Sequence, residues 1–267
     1  MLWPESLTHV LQQAIGERIR SMTGSQSDLD AFLVPAGDRG LLGPDSITWR
    51  VHADFSAMMV GGLASLIIQA LHPRALAAVW DHSDFRHQLR ERLGRTAFFV
   101  AATTYGGVDM AHAVIERVNA IHARVSGTDL EGRPYVANEP ALIRWVHLAE
   151  VSSFLGAYQH LSKAPLTPSQ CDGYVQEMAL IGQLLGAVDL PTTWAQTQQA
   201  LISHKPELRF DARAQEILQV IENYPADLVD QPFIRLILKA TCDVVPAWVL
   251  ELIHRRPACA MQVQLTQ

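Results

Sequence analysis

Cysteine and charge are both scarce in this sequence. Only three cysteines occur among 267 residues, Cys171, Cys242 and Cys259, and no two of them form a C-x-x-C pair. This isolation favours a reducing compartment and argues against a metal site built from thiolates. Charged residues make up 18% of the chain and leave a net charge of −6, so a nucleic-acid partner is not expected.

Signal-peptide and strand patterns are missing as well. The start, MLWPESLTHVLQQ, lacks a basic segment followed by an apolar one, which predicts a cytoplasmic protein. No alternating strand pattern, internal repeat or composition shift occurs. Hydrophobic residues, by contrast, reach 49%. The sequence therefore predicts an all-α fold: a single domain over residues 1–267 with about eight or nine helices.

Helix boundaries follow from proline, glycine and capping residues. An amphipathic helix is predicted from Pro4 to Met22, and a long one from Pro140 to about Leu161. The last helix, Gln231 to His254, should kink at Pro246. Residues Thr128 to Glu139 are rich in turn formers and are predicted to form a loop.

One stretch, Ala53 to Leu71, has the length and apolarity of a membrane span. Asp54 and Gln69 lie inside it, Gly61-Gly62 interrupts it, and neighbouring helices are apolar enough to cover it. We interpret it as a buried core helix. A peripheral contact with a membrane stays open.

The segment Asp109 to Val125 places His122 on an apolar helical stripe, where a polar ring needs a carbonyl, a carboxylate or a metal as partner. On the preceding helix, Arg92, Arg95 and Thr96 share one face at i, i+3 and i+4. Two guanidinium groups and a hydroxyl beside a buried imidazole indicate a site for a flat, anionic group, and haem is the leading candidate. A solvated face with ordinary ion pairs is the alternative for the arginines.

Two further histidines lie on apolar segments. His72, before Pro73, either caps a helix end or acts as an acid–base group that handles oxygen. His147 either binds the cofactor or supports another group as a buried polar residue.

Two further patterns of ligand residues give only weak support for a divalent-ion site or a di-iron site. His82, Asp84 and His87 have spacing for a divalent ion, but Asp84 lies where a helix cap is expected. Glu251 and His254 form one Glu-x-x-His, whereas di-iron bundles use two.

Four blocks in order resemble the rubber oxygenase catalytic domain family, which includes latex-clearing protein and an endoplasmic-reticulum-bound oxygenase: HADFSAMMVGGLASLIIQALHPRALAAVWDHSDFR, RLGRTAFF, RVNAIHARVSG and YVANEPALIRWVHLAEVSSFLGAY. The resemblance implies a globin-like core holding haem b over about residues 49–201, with helices of residues 207–256 packed on it.

In that resemblance, His122 matches the proximal iron ligand, and Arg92 and Thr96 match an Arg-x-x-Lys-Thr motif on the distal side. Arg95 stands where the motif has lysine. A guanidinium stays protonated and is a poor iron ligand, so a lysine-ligated iron is not expected here. His72 lies near the position of a glutamate base in the latex enzyme.

These observations predict a haem b-dependent oxygenase that uses O2 on a hydrophobic molecule with an isoprenoid-like or other double bond. His122 would bind the iron. Arg92, Arg95, Thr96 and His147 would contact the cofactor, with His72, Arg95 and Thr96 in catalytic roles. A haem carrier or gas sensor without turnover, and a helical protein with non-haem iron, are the alternatives. The substrate and the oligomeric state are not determined by the sequence.

Overall fold

The computed structural model describes residues 37–223 and 231–255. These residues form eleven α-helices, one short 3₁₀ helix and one two-stranded sheet, which confirms the predicted all-α fold. The helices are α1 (Ile47–Ala53), α2 (Phe55–Gln69), α3 (Pro73–His82), α4 (Phe85–Tyr105), α5 (Val108–His122), α6 (Pro140–Leu161), α7 (Pro168–Leu184), α8 (Trp194–Ser203), α9 (Ala212–Glu222), α10 (Gln231–Val244) and α11 (Ala247–Leu252). The globin-like core stays a prediction, and the predicted Pro4–Met22 helix lies outside the described residues.

The helix ends follow the capping rules used on the sequence. Ser46 caps α1 by accepting the N–H of Trp49, and Thr167 forms a capping box with Gln170 at the start of α7. The segment from Gln231 onward divides into α10 and α11 around Pro246, because proline cannot continue the backbone hydrogen bonding of a helix.

The predicted Thr128–Glu139 loop is in part a β-hairpin. Strands β1 (Ser126–Thr128) and β2 (Pro134–Val136) pair antiparallel. Asp129 stabilises the turn, since one of its carboxylate oxygens accepts the backbone N–H groups of Glu131 and Arg133. Each strand has only three residues, which is too short to produce a recognisable alternation in the sequence.

The structure divides into two compact units. The described part of the first unit contains residues 37–44 and 84–115, and that of the second contains residues 45–83, 116–223 and 231–255. In the first unit, Asp38 accepts the N–H of Val108 at the start of α5. Helix α5 begins in the first unit and ends in the second.

The second unit is organised around α6. Most of its side chains are buried, and Trp145, Leu148, Ala149, Leu155 and Ala157 have no exposed surface. Helix α2 crosses α6 at very short range. A Cβ atom at Gly61 would lie 2.9 Å from both Cα of Phe154 and the carbonyl oxygen of Ser153, so only glycine permits this approach.

No single helix among the described residues is both long and apolar enough to cross a membrane. Helices α1 and α2 pass the same test only as a pair, bent by 90° at their junction, and on length and composition alone. Within α2, the buried residues include Ala57, Val60, Ala64 and Ile68.

Candidate functional site

His122 is the last residue of α5, so the helix ends three residues before the predicted end at Val125. Its side chain is half-buried, and its Nδ1 atom is fully buried without a hydrogen-bond partner among the described residues. Burial lowers the pKa of His122, so the ring is neutral near pH 7. A buried, uncharged imidazole with an unpaired nitrogen is suited to bind a metal ion or a hydrogen-bonding ligand.

The C-terminal part of α5 is attached to the end of α7. Asn119 donates a hydrogen bond from Nδ2 to the carbonyl oxygen of Leu184 over 3.0 Å. His122 lies one helical turn after Asn119, and residues three apart share a helix face. This bond therefore orients the His122 face of α5 toward the C-terminal turns of α7.

His147, on α6, also approaches that part of α7. A Cβ atom at Gly182 would lie 2.8 Å from Nδ1 of His147, so the ring packs directly on the glycine backbone. The side chain is buried and makes no hydrogen bond to any residue that the structure describes. Burial lowers its pKa from 6.5 to about 4, which keeps the ring neutral. Asn119 and His147 thus contact positions of α7 two residues apart.

A polar cluster lies farther along the same face of α6. Glu150 is one turn after His147 and is half-buried. Electrostatic interaction couples it to Tyr174 of α7, which is completely buried. A hydrogen bond of 3.1 Å joins the Tyr174 hydroxyl to Nε2 of His52 on α1. Burial raises the pKa of Glu150 to about 7 and lowers that of His52 to about 3.

His72 has a structural role in addition to any chemical one. It is the N-cap of α3, where Nδ1 accepts the N–H of Ala75 over 3.4 Å. Nε2 therefore carries the hydrogen and faces Oε2 of Glu207 at 3.6 Å. The ring lies 5.7 Å from that of Trp145. Among the described contacts, none joins His72 to His122 or His147, so its predicted role in oxygen chemistry stays a prediction.

Arg92, Arg95 and Thr96 lie on α4, in the first unit. Arg92 is half-buried, while Arg95 and Thr96 are exposed. Burial, together with the charge of Arg95, lowers the pKa of Arg92, so the two guanidinium groups are close enough to interact. The hydroxyl of Thr96 donates to the carbonyl oxygen of Arg92 over 3.2 Å. The predicted shared face is therefore present, and its contact with a cofactor stays a prediction.

A sequence profile described as "ER-bound oxygenase mpaB/B'/Rubber oxygenase, catalytic domain" matches residues 49–265. This chain belongs to that family. No curated protein and no solved structure matched the chain in the corresponding comparisons. The family covers residues of both units, and it makes the chain a member of a group of oxygenase catalytic domains.

Within the described residues, the other metal patterns form no complete site in this oxygenase domain. No group of three or more His, Cys, Asp or Glu side chains within the described ranges is arranged to hold a metal ion. Glu251 is on α11, but His254 follows the helix with a φ of 55°, and both side chains are exposed. His82 bonds to the carbonyl oxygen of Ser126 over 3.1 Å. The side chain of His87 lies outside what the structure describes.

Sequence reasoning did not single out Glu150, Tyr174 or His52. A usable signal exists for Glu150, because it lies three residues after His147 on a helix whose other residues are mostly apolar. His52 and Tyr174 carry no comparable signal, since they come from separate helices and meet only in the folded chain.

Proposed function

We propose that this chain is a haem b-dependent oxygenase that uses O2 to oxidise a hydrophobic small molecule containing a carbon–carbon double bond. Membership of a family of oxygenase catalytic domains supports the reaction class. The observation that supports haem as the cofactor is the unpaired, buried Nδ1 of His122. Histidine is a common axial ligand of haem iron, and binding requires the neutral form of the ring, which burial favours here.

The donor set fits haem better than non-haem iron. Haem needs one protein ligand, because the porphyrin supplies four nitrogen atoms, whereas a non-haem iron oxygenase site uses about three side chains. The described residues offer single histidines and no cluster of three ligands. His122 would hold the iron, and the haem would supply the redox-active metal that a reaction with O2 requires.

The remaining residues have roles that do not depend on iron ligation. Arg92 and Arg95 would supply positive charge for propionates, and Thr96 would line the distal side. Because the Arg95 guanidinium stays protonated, it would not occupy the sixth position of the iron. His147 would keep one wall of the site uncharged, in keeping with its lowered pKa.

The test is an absorption spectrum of the purified protein after reconstitution with haem. A Soret band is expected for the wild type, and its loss or a clear shift is expected for His122→Ala. His160→Ala is the matched control, because His160 is an exposed histidine near the end of α6, and its spectrum should equal that of the wild type. A band that His122→Ala leaves unchanged, or no band in any variant, would overturn the haem assignment.

Turnover is measured separately as O2 uptake with isoprenoid alkenes. Uptake that depends on both haem and alkene supports an oxygenase. Haem binding without uptake would instead support a carrier or gas sensor. Iron retained without haem, and lost in His254→Ala, would support the non-haem alternative.

A further inference from the structure

Glu150 is a half-buried acid without a hydrogen-bond partner among the described residues. It lies on α6 one turn after His147, and residues at this spacing have Cβ atoms about 5–6 Å apart. Its carboxyl group makes no hydrogen bond or ion pair with the residues that the structure describes. The residue nevertheless keeps some accessible surface.

The groups around Glu150 carry no positive charge at neutral pH. Tyr174 and Glu177 come from α7. The carboxyl groups of Glu150 and Glu177 both raise the pKa of Tyr174. Glu177 is already satisfied, because it accepts the backbone N–H groups of Ile47 and Thr48 at the start of α1. His52, from α1, is hydrogen-bonded to Tyr174 and is neutral because burial lowers its pKa.

The other helices packed on α6 add no cation that shifts the pKa of Glu150, for which burial is the cause. Helices α2 and α8 contain no titratable residue. Helix α10 approaches α6 near Gly156 through Val244. The ionisable residues of α10 are Arg235, Lys239, Cys242 and Asp243, and Cys242 interacts with the charges of Glu222 and Arg255. Helix α3 also contacts α6, and its Arg74 pairs with Glu139. Arg50 of α1 is engaged elsewhere, donating to the Tyr158 hydroxyl and the carbonyl oxygen of Ala164.

These surroundings favour the protonated form of Glu150. A carboxylate without a cation or hydrogen-bond donor is costly to bury, so its pKa rises. Burial raises the pKa of Glu150 to about 7, whereas His147 and His52 remain neutral down to about pH 4 and about pH 3. In the physiological range, Glu150 is therefore the member of this cluster whose charge changes.

We propose that Glu150 is a positioning residue of the oxygenase site, which holds a proton and keeps the His147 face of α6 uncharged. The acid form is uncharged and leaves the site suited to an apolar substrate. Loss of the proton places an uncompensated negative charge there and draws water in. This inference rests on the proposed oxygenase function and assigns the group that sets its pH dependence.

The first test reads the proton directly and needs no cofactor. Infrared difference spectra of wild type against Glu150→Gln should show a carboxylic-acid carbonyl band at about pH 6 that disappears by about pH 8.5. Glu116→Gln, an exposed acid on α5, is the matched control and should show no such band. Absence of the band in the wild type at about pH 6 would overturn the inference.

The second test uses stability. Because the folded state binds the proton more tightly than the unfolded state, the stability due to Glu150 is present below the unfolded pKa and is lost as pH rises through about 7. Glu150→Gln is neutral at every pH. The melting temperature of Glu150→Gln, relative to that of the wild type, should therefore rise as the pH increases from about 5 to about 8.5. A constant difference would contradict the raised pKa.

The third test uses the reaction. O2 uptake by the wild type should fall as pH rises through about 7, and Glu150→Gln should remove most of that fall while Glu116→Gln keeps it. A wild-type pH profile in Glu150→Gln overturns this inference and leaves the haem assignment intact. Loss of the haem assignment is detected separately, by the Soret band of the reconstituted protein.

Discussion

Histidines pack on two opposite faces of helix α6, and the partners of these histidines differ between the two faces. On the Trp145 face, Trp145 packs against His72 and His204, with ring centroids 5.7 and 5.1 Å away. Glu207 faces both imidazoles at 3.6 Å. On the His147 face, His147 and Glu150 have no described hydrogen-bond partner. Trp145 and His147 are two residues apart and so point in nearly opposite directions.

The difference separates groups that stabilise the fold from groups that are available for a ligand. On the Trp145 face, Ala75 donates to Nδ1 of His72 and Arg144 donates to Nε2 of His204. The remaining nitrogen of each ring lies 3.6 Å from a carboxylate oxygen of Glu207, and Nδ1 of His204 makes no hydrogen bond to the described residues. On the His147 face, neither His147 nor Glu150 has a hydrogen-bond or ion-pair partner among the described residues, and such groups cost stability and are typical of functional sites. We therefore expect substitutions on the Trp145 face to affect folding and those on the His147 face to affect binding.

The largest effect is expected for Trp145→Ala. The side chain is completely buried, and its Nε1 donates to the carbonyl oxygen of Gln69. Removing it should lower the free energy of unfolding by about 3–5 kcal/mol, measured by urea denaturation. Trp194→Ala, at a half-buried position at the start of α8, should cost less. Loss of haem binding by folded Trp145→Ala at low temperature would contradict the separation of the two faces.

Acidification should destabilise the protein through the His147 face. Burial lowers the pKa of His147 from 6.5 to about 4, so the unfolded state gains a proton in this range before the folded state does. The contribution of neutral His147 to stability is therefore complete above about pH 6.5. The free energy of unfolding falls by about 3 kcal/mol toward pH 4 because of this residue. Urea denaturation at several pH values should show a smaller fall for His147→Gln. The exposed His160→Gln should behave as the wild type, and an equal fall in all three would show that His147 is not the cause.

Much of the fold could be predicted because its determinants are local. Pro140 and Pro168 each occupy the first turn of a long helix, and Pro246 separates α10 from α11. The hairpin of β1 and β2 was not predictable in the same way. Its three-residue strands depend on the Asp129 turn and on burial of Tyr135, whose hydroxyl donates to Asp81 of α3.

In the proposed site, the sequence indicates only those residues that carry a signal by themselves. His122 and His147 are predicted site residues because each is a polar ring on an apolar helical stripe. Glu150 also carries a sequence signal, three residues after His147 on a mostly apolar helix, but its lack of a charged partner depends on how α6 packs against α7 and α1. The role of His72 as a helix cap facing Glu207 likewise depends on a residue 135 positions later in the chain.

Alanine substitutions at Gly182 and Gly156 test how tightly the His147 ring is packed, and their expected effects on stability are intermediate in size. A Cβ at Gly182 would lie 2.8 Å from Nδ1 of His147 and 2.7 Å from Cδ1 of Leu190, so Gly182→Ala should displace the His147 ring and cost about 1–3 kcal/mol. At Gly156 the nearest atom is Cγ1 of Val244 at 3.7 Å, an ordinary contact. Gly156→Ala should therefore be neutral or stabilise by up to about 1 kcal/mol. Urea denaturation of both variants measures this, and equal costs would mean that His147 can move freely.

The smallest effect is expected for Glu207→Gln. Its side chain is 60% exposed, so its two charge contacts on the Trp145 face are well screened and should contribute less than about 1 kcal/mol at neutral pH. Its carboxylate nevertheless raises the pKa of both His72 and His204 against the lowering by burial. Removing it should lower both pKa values further, so that the folded state resists protonation more and stability falls more steeply below about pH 6.5. Proton NMR titration of the two imidazoles checks this, and unchanged pKa values would show that the Trp145 face relies on packing alone.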